Sequence, residues 1–175
     1  MSVGKSIVKG FFWASGGQTL VTIISLIANV ILARILSPNE FGIIGIVLFF
    51  TTLANVFVAG GFAGALIRLP EVSILDLKTV FTFNFIVSII CYLLIFIGAS
   101  YIAEYYNEPK ITGILKVTGL VFFINAFQLV NLAVLTREMR FKQRSFYQII
   151  AVIFSSIIAI IAAYLRMGIW SLVIL

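Results

Sequence analysis

The feature that most constrains this chain is its series of long, uninterrupted apolar runs, such as IIGIVLFF at residues 43–50. The strands of a membrane β-barrel alternate apolar and polar residues, and these runs show no such alternation. In hydrocarbon, every backbone N–H and C=O group needs a partner within the protein, which leaves helices as the remaining way to cross a membrane. The runs therefore predict an all-α integral membrane protein.

Composition supports the same class and excludes several functions. Of the 175 residues, 62% are hydrophobic and 10% are charged, whereas a soluble domain is about half apolar and a quarter charged. The chain has no histidine, and its single cysteine, Cys91, lies within an apolar run, so neither a disulfide framework nor a His/Cys metal site is expected. The sequence contains no phosphate-binding loop or nucleophile–base motif, and we predict no cofactor and no enzymatic activity.

The apolar runs divide into membrane spans of about 20 residues, the length that crosses a bilayer as a helix. We predict five full spans, at residues 12–35, 43–66, 79–102, 112–135 and 146–165, and a sixth that begins near residue 169 and is cut off at residue 175. The three prolines, Pro38, Pro70 and Pro109, fall between spans, where a missing N–H group costs least. The first apolar run is too long for a cleaved signal peptide, so we expect an uncleaved first span.

The net charge of +6 is interpreted as a record of membrane topology and of attraction to anionic lipid, not as a nucleic-acid surface. Lysines and arginines concentrate on one side of the predicted spans, and positively charged loops stay in the cytoplasm. The richer side holds Lys5, Lys9, Arg68, Lys78, Arg137, Arg140, Lys142 and Arg144, and the other side holds Arg34, Lys110 and Arg166. We therefore expect a cytoplasmic N-terminus and an outward-facing turn, ARILSPNEFG, at residues 33–42.

The first predicted span carries a stripe of polar residues at helical spacing. Its members, three or four residues apart, are Ser15, Gln18, Thr22, Ser25 and Asn29. This spacing places all five on one face of a helix. Polar side chains within a membrane face another helix or a wet cavity. Two interpretations stay open: hydrogen bonds that hold helices together, or one wall of a hydrophilic path for a substrate.

Four further residues are candidates for the substrate path: Asn55 in the second span, Arg34 and Arg68 at the ends of spans, and Lys116 in the fourth span. Arg34 and Lys116 can each extend to the lipid headgroups or contact an anionic substrate, and both options stay open. All six acidic residues fall in loops or at the ends of spans. The ionisable groups nearest the membrane are therefore cations, which favours an anionic cargo.

A basic segment separates the fourth and fifth predicted spans. Its cations are Arg137, Arg140, Lys142 and Arg144. They suit either the determination of topology or the recruitment of anionic lipid and substrate phosphates.

Local signals also predict how helices end and pack. Ser37 and Pro38 are expected to end the first span, and Asn39 or Glu40 to cap the second. In the fifth span, a face of small residues predicts close packing against another helix. That face contains Gln148, Ser155, Ala159, Ala162 and Arg166.

Three stretches resemble the polysaccharide transporter family, a branch of the multidrug/oligosaccharidyl-lipid/polysaccharide exporter superfamily. LARILSPNEFGIIGIVLFF (32–50) is similar to the family's outer turn between spans one and two. AGGFAGALIR (59–68) is similar to the glycine-rich, arginine-terminated end of span two. LTREMRFKQRSFYQII (135–150), followed by RMGIWSLV (166–173), is similar to the basic inner loop and the turn into span six.

The resemblance implies a helical transporter of the bacterial inner membrane. Such proteins move an undecaprenyl-pyrophosphate-linked oligosaccharide to the periplasmic face for surface polysaccharide assembly. The family fold has two pseudo-symmetric six-helix lobes around a cavity and works by alternating access. Residues 1–175 would form most of the first lobe. The expected partners are the lipid-linked substrate, membrane lipids, and the second lobe or a partner chain.

Two other functions stay open. One is a drug/cation antiporter of the same superfamily, and the other is a membrane scaffold that transports nothing. The lack of a carboxylate within any predicted span argues against the antiporter, which usually needs one.

Overall fold

The architecture is helical throughout the residues that the computed structural model describes, which are 3–59, 73–138 and 141–175. The helices there are α1 (Val3–Ile35), α2 (Pro38–Ala59), α3 (Ile74–Tyr105), α4 (Lys110–Thr118), α5 (Val121–Arg137), α6 (Phe141–Tyr164) and α7 (Trp170–Ile174). Five stretches are long and apolar enough to cross a membrane: Ser15–Ile35, Pro38–Val58, Leu75–Tyr105, Lys110–Leu129 and Phe141–Tyr164. The predicted all-α membrane class, with five full spans, is confirmed.

The fourth membrane stretch differs from the single helix that hydrophobicity predicts. It consists of α4 and the first part of α5, and a turn at Gly119 and Leu120 separates the two helices. A Cβ atom on Gly119 would lie 3.0 Å from Cδ2 of Tyr92 and 3.1 Å from the carbonyl oxygen of Leu115. Glycine therefore lets the turn lie against the Tyr92 ring of α3, a requirement that apolar periodicity does not reveal.

The end of α6 also departs from the prediction. Arg166 was expected to share a face with Ala159 and Ala162, but α6 ends at Tyr164. Arg166 has a positive φ of 60°, and the Met167 N–H group donates to the carbonyl oxygen of Ala162. A residue in the left-handed conformation closes many helices in this way. Arg166 thus belongs to the turn after α6, and its expected place on the helix face is wrong.

The helices form two compact units. The first contains α1, α6, α7, the first turn of α2 and the last residues of α5, which lie within residues 1–42 and 135–175. Its core consists of Leu32, Ala159 and Ala163, each at most 3% exposed. Because alanine is small, it allows the backbones of packed helices to approach closely. The predicted packing role of α6 is confirmed at Ala159 and Ala162, which are both buried.

The second unit contains the rest of α2 together with α3, α4 and the described part of α5 up to residue 134. One face of α3 is buried along most of its length, at Asn84, Ser88, Cys91, Ile95, Ala99 and Ala103. From this face, the Ser88 hydroxyl donates to the carbonyl oxygen of Phe122 at 3.1 Å. The Cys91 thiol donates to the carbonyl oxygen of Ala54 at 3.9 Å. Helix α3 therefore contacts both α2 and α5 within this unit.

Candidate substrate path

The polar stripe on α1 comprises Ser15, Gln18, Thr22, Ser25 and Asn29. Helix α1 is continuous through all five, and every side chain except the half-buried Ser25 is exposed. The Thr22 hydroxyl donates to the carbonyl oxygen of Gln18, and the Asn29 amide donates to that of Ser25, both at 2.9 Å. The Gln18 side chain has no hydrogen-bond partner among the described residues. The stripe thus presents hydroxyl and amide groups on one side of an apolar helix.

The polar stripe does not form the contact between α1 and α6. That contact involves Gly17 and Leu32, which are both buried. With 3.6 residues per turn, the centre of this buried face lies about 90° around the helix from the centre of the stripe. The hydrogen bonds of the stripe therefore do not hold α1 to α6, the helix against which α1 packs.

Helices α1 and α6 approach each other closely at Gly17 and Ser145. The Ser145 hydroxyl donates to the carbonyl oxygen of Trp13 at 3.0 Å. A Cβ atom on Gly17 would lie only 2.5 Å from the Cβ atom of Ser145, whereas Gly16 has open space at its Cβ position. Small residues that face each other allow such approach between membrane helices. The pairing of Gly17 with Ser145 could have been sought in the sequence on this basis.

Of the two arginines predicted to contact a substrate, Arg34 lies within the described residues and Arg68 does not. Arg34 lies exposed in the last turn of α1, where a cation interacts favourably with the helix dipole. Its position is about 140° around the helix from the centre of the polar stripe, so helix geometry does not bring the two together. Arg68 lies outside the described residues. A substrate contact by either arginine stays a prediction.

Asn55 has a partner on a neighbouring helix. The Asn125 amide of α5 donates to Oδ1 of Asn55 on α2 at 2.9 Å, and both residues are half-buried. In membrane proteins, such bonds contribute about 0.6 kcal/mol on average and at most about 1.7 kcal/mol. Asn55 therefore links two helices of the second unit.

Lys116 lies against an aromatic ring. Its Nζ atom is 4.3 Å from the ring centroid of Phe96 on α3, and the lysine is half-buried. The negative face of an aromatic ring attracts a cation at this distance. The ammonium group of Lys116 is thus held beside α3.

The basic segment between α5 and α6 has local partners at two of its four cations. The side chain of Arg137 and all of Arg140 lie outside the described part of the chain. The Nζ atom of Lys142 is 5.3 Å from the Trp13 ring centroid, and Nη1 of Arg144 donates to the Thr136 hydroxyl at 3.3 Å. Tryptophan and lysine side chains are typical of the membrane–water interface. Recruitment of phosphates by this segment stays a prediction.

The turn between α1 and α2 contains a capping box. The Ser37 N–H group donates to Oε2 of Glu40 at 2.8 Å, and the Glu40 N–H group donates to the Ser37 hydroxyl at 3.4 Å. Ser37 is thus the N-cap and Pro38 the first residue of α2, so the expected cap at Asn39 or Glu40 is wrong. A Cβ atom on Gly168 would lie 2.5 Å from Oε1 of Glu40, so this carboxylate also contacts the turn before α7.

Two buried polar residues of α3 were missed in the sequence. Asn84 and Ser88 are fully buried, and they share a helix face with Cys91 at spacings of four and three residues. The Asn84 amide donates to the carbonyl oxygen of Val80, while its buried Oδ1 atom has no partner among the described residues. Their helical spacing was the available signal, as it was for the polar stripe.

Comparison with known proteins finds relatives named for polysaccharide biosynthesis. Residues 31–175 match a family model for polysaccharide biosynthesis proteins. The chain is 26% identical to the succinoglycan biosynthesis transport protein ExoT of Rhizobium meliloti, over 96% of this chain and 34% of ExoT. It is 23% identical to the lipopolysaccharide biosynthesis protein WzxC of Escherichia coli, over 94% and 33%, and 23% identical to the teichuronic acid biosynthesis protein TuaB of Bacillus subtilis, over 70% and 26%.

The chain spans about a third of the length of ExoT and WzxC. No solved structure matches it.

Proposed function

Because the chain belongs to the polysaccharide biosynthesis protein family, we propose that it is part of a transporter for polysaccharide precursors in the bacterial inner membrane. The proposed cargo is an oligosaccharide linked to undecaprenyl pyrophosphate. ExoT, which is named a transport protein, supports transport over a purely structural role. In this proposal the N-terminus is cytoplasmic, and the chain works by alternating access together with a second lobe or a partner chain.

The observation that carries the proposal is the exposed polar stripe of α1. From Ser15 to Asn29 it extends about 21 Å along the helix axis, most of the roughly 30 Å hydrocarbon thickness. Polar side chains at this depth are costly against lipid, so a wet path is the environment that suits them. Hydroxyl and amide groups are also the natural partners of sugar hydroxyl groups.

The cations of the chain supply a second part of the proposal. In the proposed topology, Arg34 and Lys116 are each towards the outer end of their own span, and Arg68 is expected towards the inner end of its span. Arginine can bind a phosphate through two hydrogen bonds, and lysine acts as a point charge. These residues would contact the pyrophosphate at successive stages of transport.

Substitution within the polar stripe tests the proposal. In a strain that lacks the native gene, the gene carrying Gln18→Leu and Asn29→Leu together should restore export poorly. The lipid-linked precursor should accumulate severalfold relative to the wild-type gene. Thr19→Leu is the matched control, because Thr19 is exposed on α1 about 80° from the centre of the stripe. Immunoblots confirm equal amounts of each variant in the membrane.

Full export by the double variant would refute the wet-path role of the stripe. If export persisted while changes in the basic segment abolished complex formation, a scaffold would be the better function. Drug-resistance measurements on the same strains separate the antiporter. Reporter fusions at Asn107 and Gln143 test the topology, since the proposal requires them to lie on opposite sides of the membrane.

A further inference from the structure

A continuous row of aromatic rings runs along one face of α3 and the adjacent side of α5. This aromatic row consists of Phe81, Phe85, Tyr92 and Phe96 on α3 and of Phe123 and Phe127 on α5. Neighbouring ring centroids lie 5.1–5.9 Å apart. At one end, Nζ of Lys116 lies 4.3 Å from the Phe96 centroid. The second unit therefore presents a row of rings with a cation at one end.

The aromatic row is longer than one leaflet of a bilayer. Phe81 and Phe96 are 15 positions apart on α3, which corresponds to about 22 Å along the helix axis. The hydrocarbon core is about 30 Å thick, so one leaflet accounts for about 15 Å. An ordinary acyl chain stays within its own leaflet. A tail that covers the whole row must be longer.

Exposure and charge indicate what kind of molecule fits the row. Phe96 is 42% exposed and Phe127 is 57% exposed, so rings near both ends are accessible. The rings are uncharged, and among the described residues Lys116 is the cation found against them. A ligand with a negatively charged head and a long apolar tail complements this arrangement.

We propose that the aromatic row and Lys116 form a docking site for a polyprenyl phosphate lipid. The phosphate binds Lys116, and the polyprenyl tail lies along the rings towards Phe81. The identity of the tail rests on the proposed function, whereas the cation and the length of the row are features of the chain itself. Gly119 supports the site, because its lack of a side chain leaves room for the Tyr92 ring in the middle of the row.

Native mass spectrometry of the purified protein tests this site with three lipids added separately. Undecaprenyl phosphate is the probe, undecaprenol shares its tail without the phosphate, and dipalmitoyl phosphatidic acid shares the phosphate with shorter, saturated chains. Undecaprenyl phosphate should bind about ten-fold more tightly than undecaprenol, an effect comparable to one charge-assisted hydrogen bond. It should also bind more tightly than phosphatidic acid, because only its tail is long enough to contact the whole aromatic row. Equal binding of phosphatidic acid would overturn the proposal.

Paired variants separate the head from the tail. Lys116→Gln should weaken binding of undecaprenyl phosphate about ten-fold, whereas Lys110→Gln, at an exposed lysine in the first turn of α4, should leave it unchanged. Phe127→Leu keeps an apolar side chain but removes a ring, and it should weaken binding severalfold. Phe154→Leu, at a phenylalanine of α6 that is 63% exposed, is its control.

The proposal fails if Lys116→Gln binds undecaprenyl phosphate as well as Lys110→Gln does, because Lys116 then does not hold the phosphate. That failure leaves the proposed function intact, since precursor accumulation in cells is measured independently. Conversely, the purified protein could bind undecaprenyl phosphate as proposed while a strain that lacks the gene accumulates no lipid-linked precursor. That result would refute transport and retain the lipid site.

Discussion

Replacement of Gly17 with alanine is the sharpest test of the contact between α1 and α6. The new Cβ atom would lie 2.5 Å from both Cβ and Oγ of Ser145, whereas ordinary contacts are 3.4–4 Å. The Cβ atom of Ser145 is bonded directly to the backbone of α6 and cannot rotate away. The two helices must therefore separate locally by about 1 Å.

The magnitude follows from three contributions. Overpacking of this kind costs about 1–3 kcal/mol. Separation of the helices also weakens the hydrogen bond from Ser145 to Trp13, a loss of about 0.5–1.5 kcal/mol. Alanine gains about 1 kcal/mol over glycine within a helix. Gly16→Ala receives the same gain without a clash, because no atom lies within 4 Å of its Cβ position.

The difference between the two variants therefore isolates the contact. Gly17→Ala should be less stable than Gly16→Ala by about 1.5–4.5 kcal/mol. Each kcal/mol lowers Tm by about 2–4 °C for a chain of this size. Fluorescence-detected gel filtration after heating in detergent measures Tm. Adding Ser145→Gly to Gly17→Ala should recover part of the loss. Equal Tm values for the two single variants would refute the close approach.

Two further predictions concern the turn before α7 and the amide pair. Gly168→Ala should destabilise the protein by about 1–2 kcal/mol, because Gly168 has a φ of +57° and a Cβ atom there would meet the Glu40 side chain. Gly45→Ala is the control in the same heating assay, because no atom lies within 4 Å of the Cβ position of Gly45. Asn125→Leu should cost about 1 kcal/mol by leaving Asn55 unpaired, and the double variant with Asn55→Leu should lose no more than the single one.

Each of these predictions has a clear contrary result. A Gly168→Ala protein with the Tm of its Gly45→Ala control would mean that the turn tolerates a side chain. Strictly additive losses at Asn55 and Asn125 would mean that the two amides do not interact.

Much of the fold follows from the sequence because membrane helices have a strong signal. Long apolar runs predict the five membrane stretches, and the spacing from Ser15 to Asn29 predicts the polar stripe. The break between α4 and α5 does not follow, because it depends on how Gly119 meets the ring of Tyr92, a residue distant in the chain. The capping box was missed because Ser37 was assigned to the preceding helix end.

The candidate site was less predictable because residue type alone does not identify a partner. Asn55 was predicted to line the path, and the sequence does not indicate that it bonds to Asn125. In the same way, the sequence does not indicate the contact of Lys116 with Phe96. Arg34 illustrates the opposite case. Its angular offset from the polar stripe is readable from helix geometry, and the structure leaves its proposed role untested.

The pairing of α1 with α6 has a consequence for synthesis of the protein. The hydrogen bond from Ser145 to Trp13 joins residues 132 positions apart in the chain. At about 5–20 residues per second, a ribosome needs about 7–26 s to translate that distance. Throughout this interval Trp13 has been synthesised while its partner Ser145 does not yet exist. A chain that ends before α6 therefore leaves Gly17 of the first helix without its packing partner Ser145.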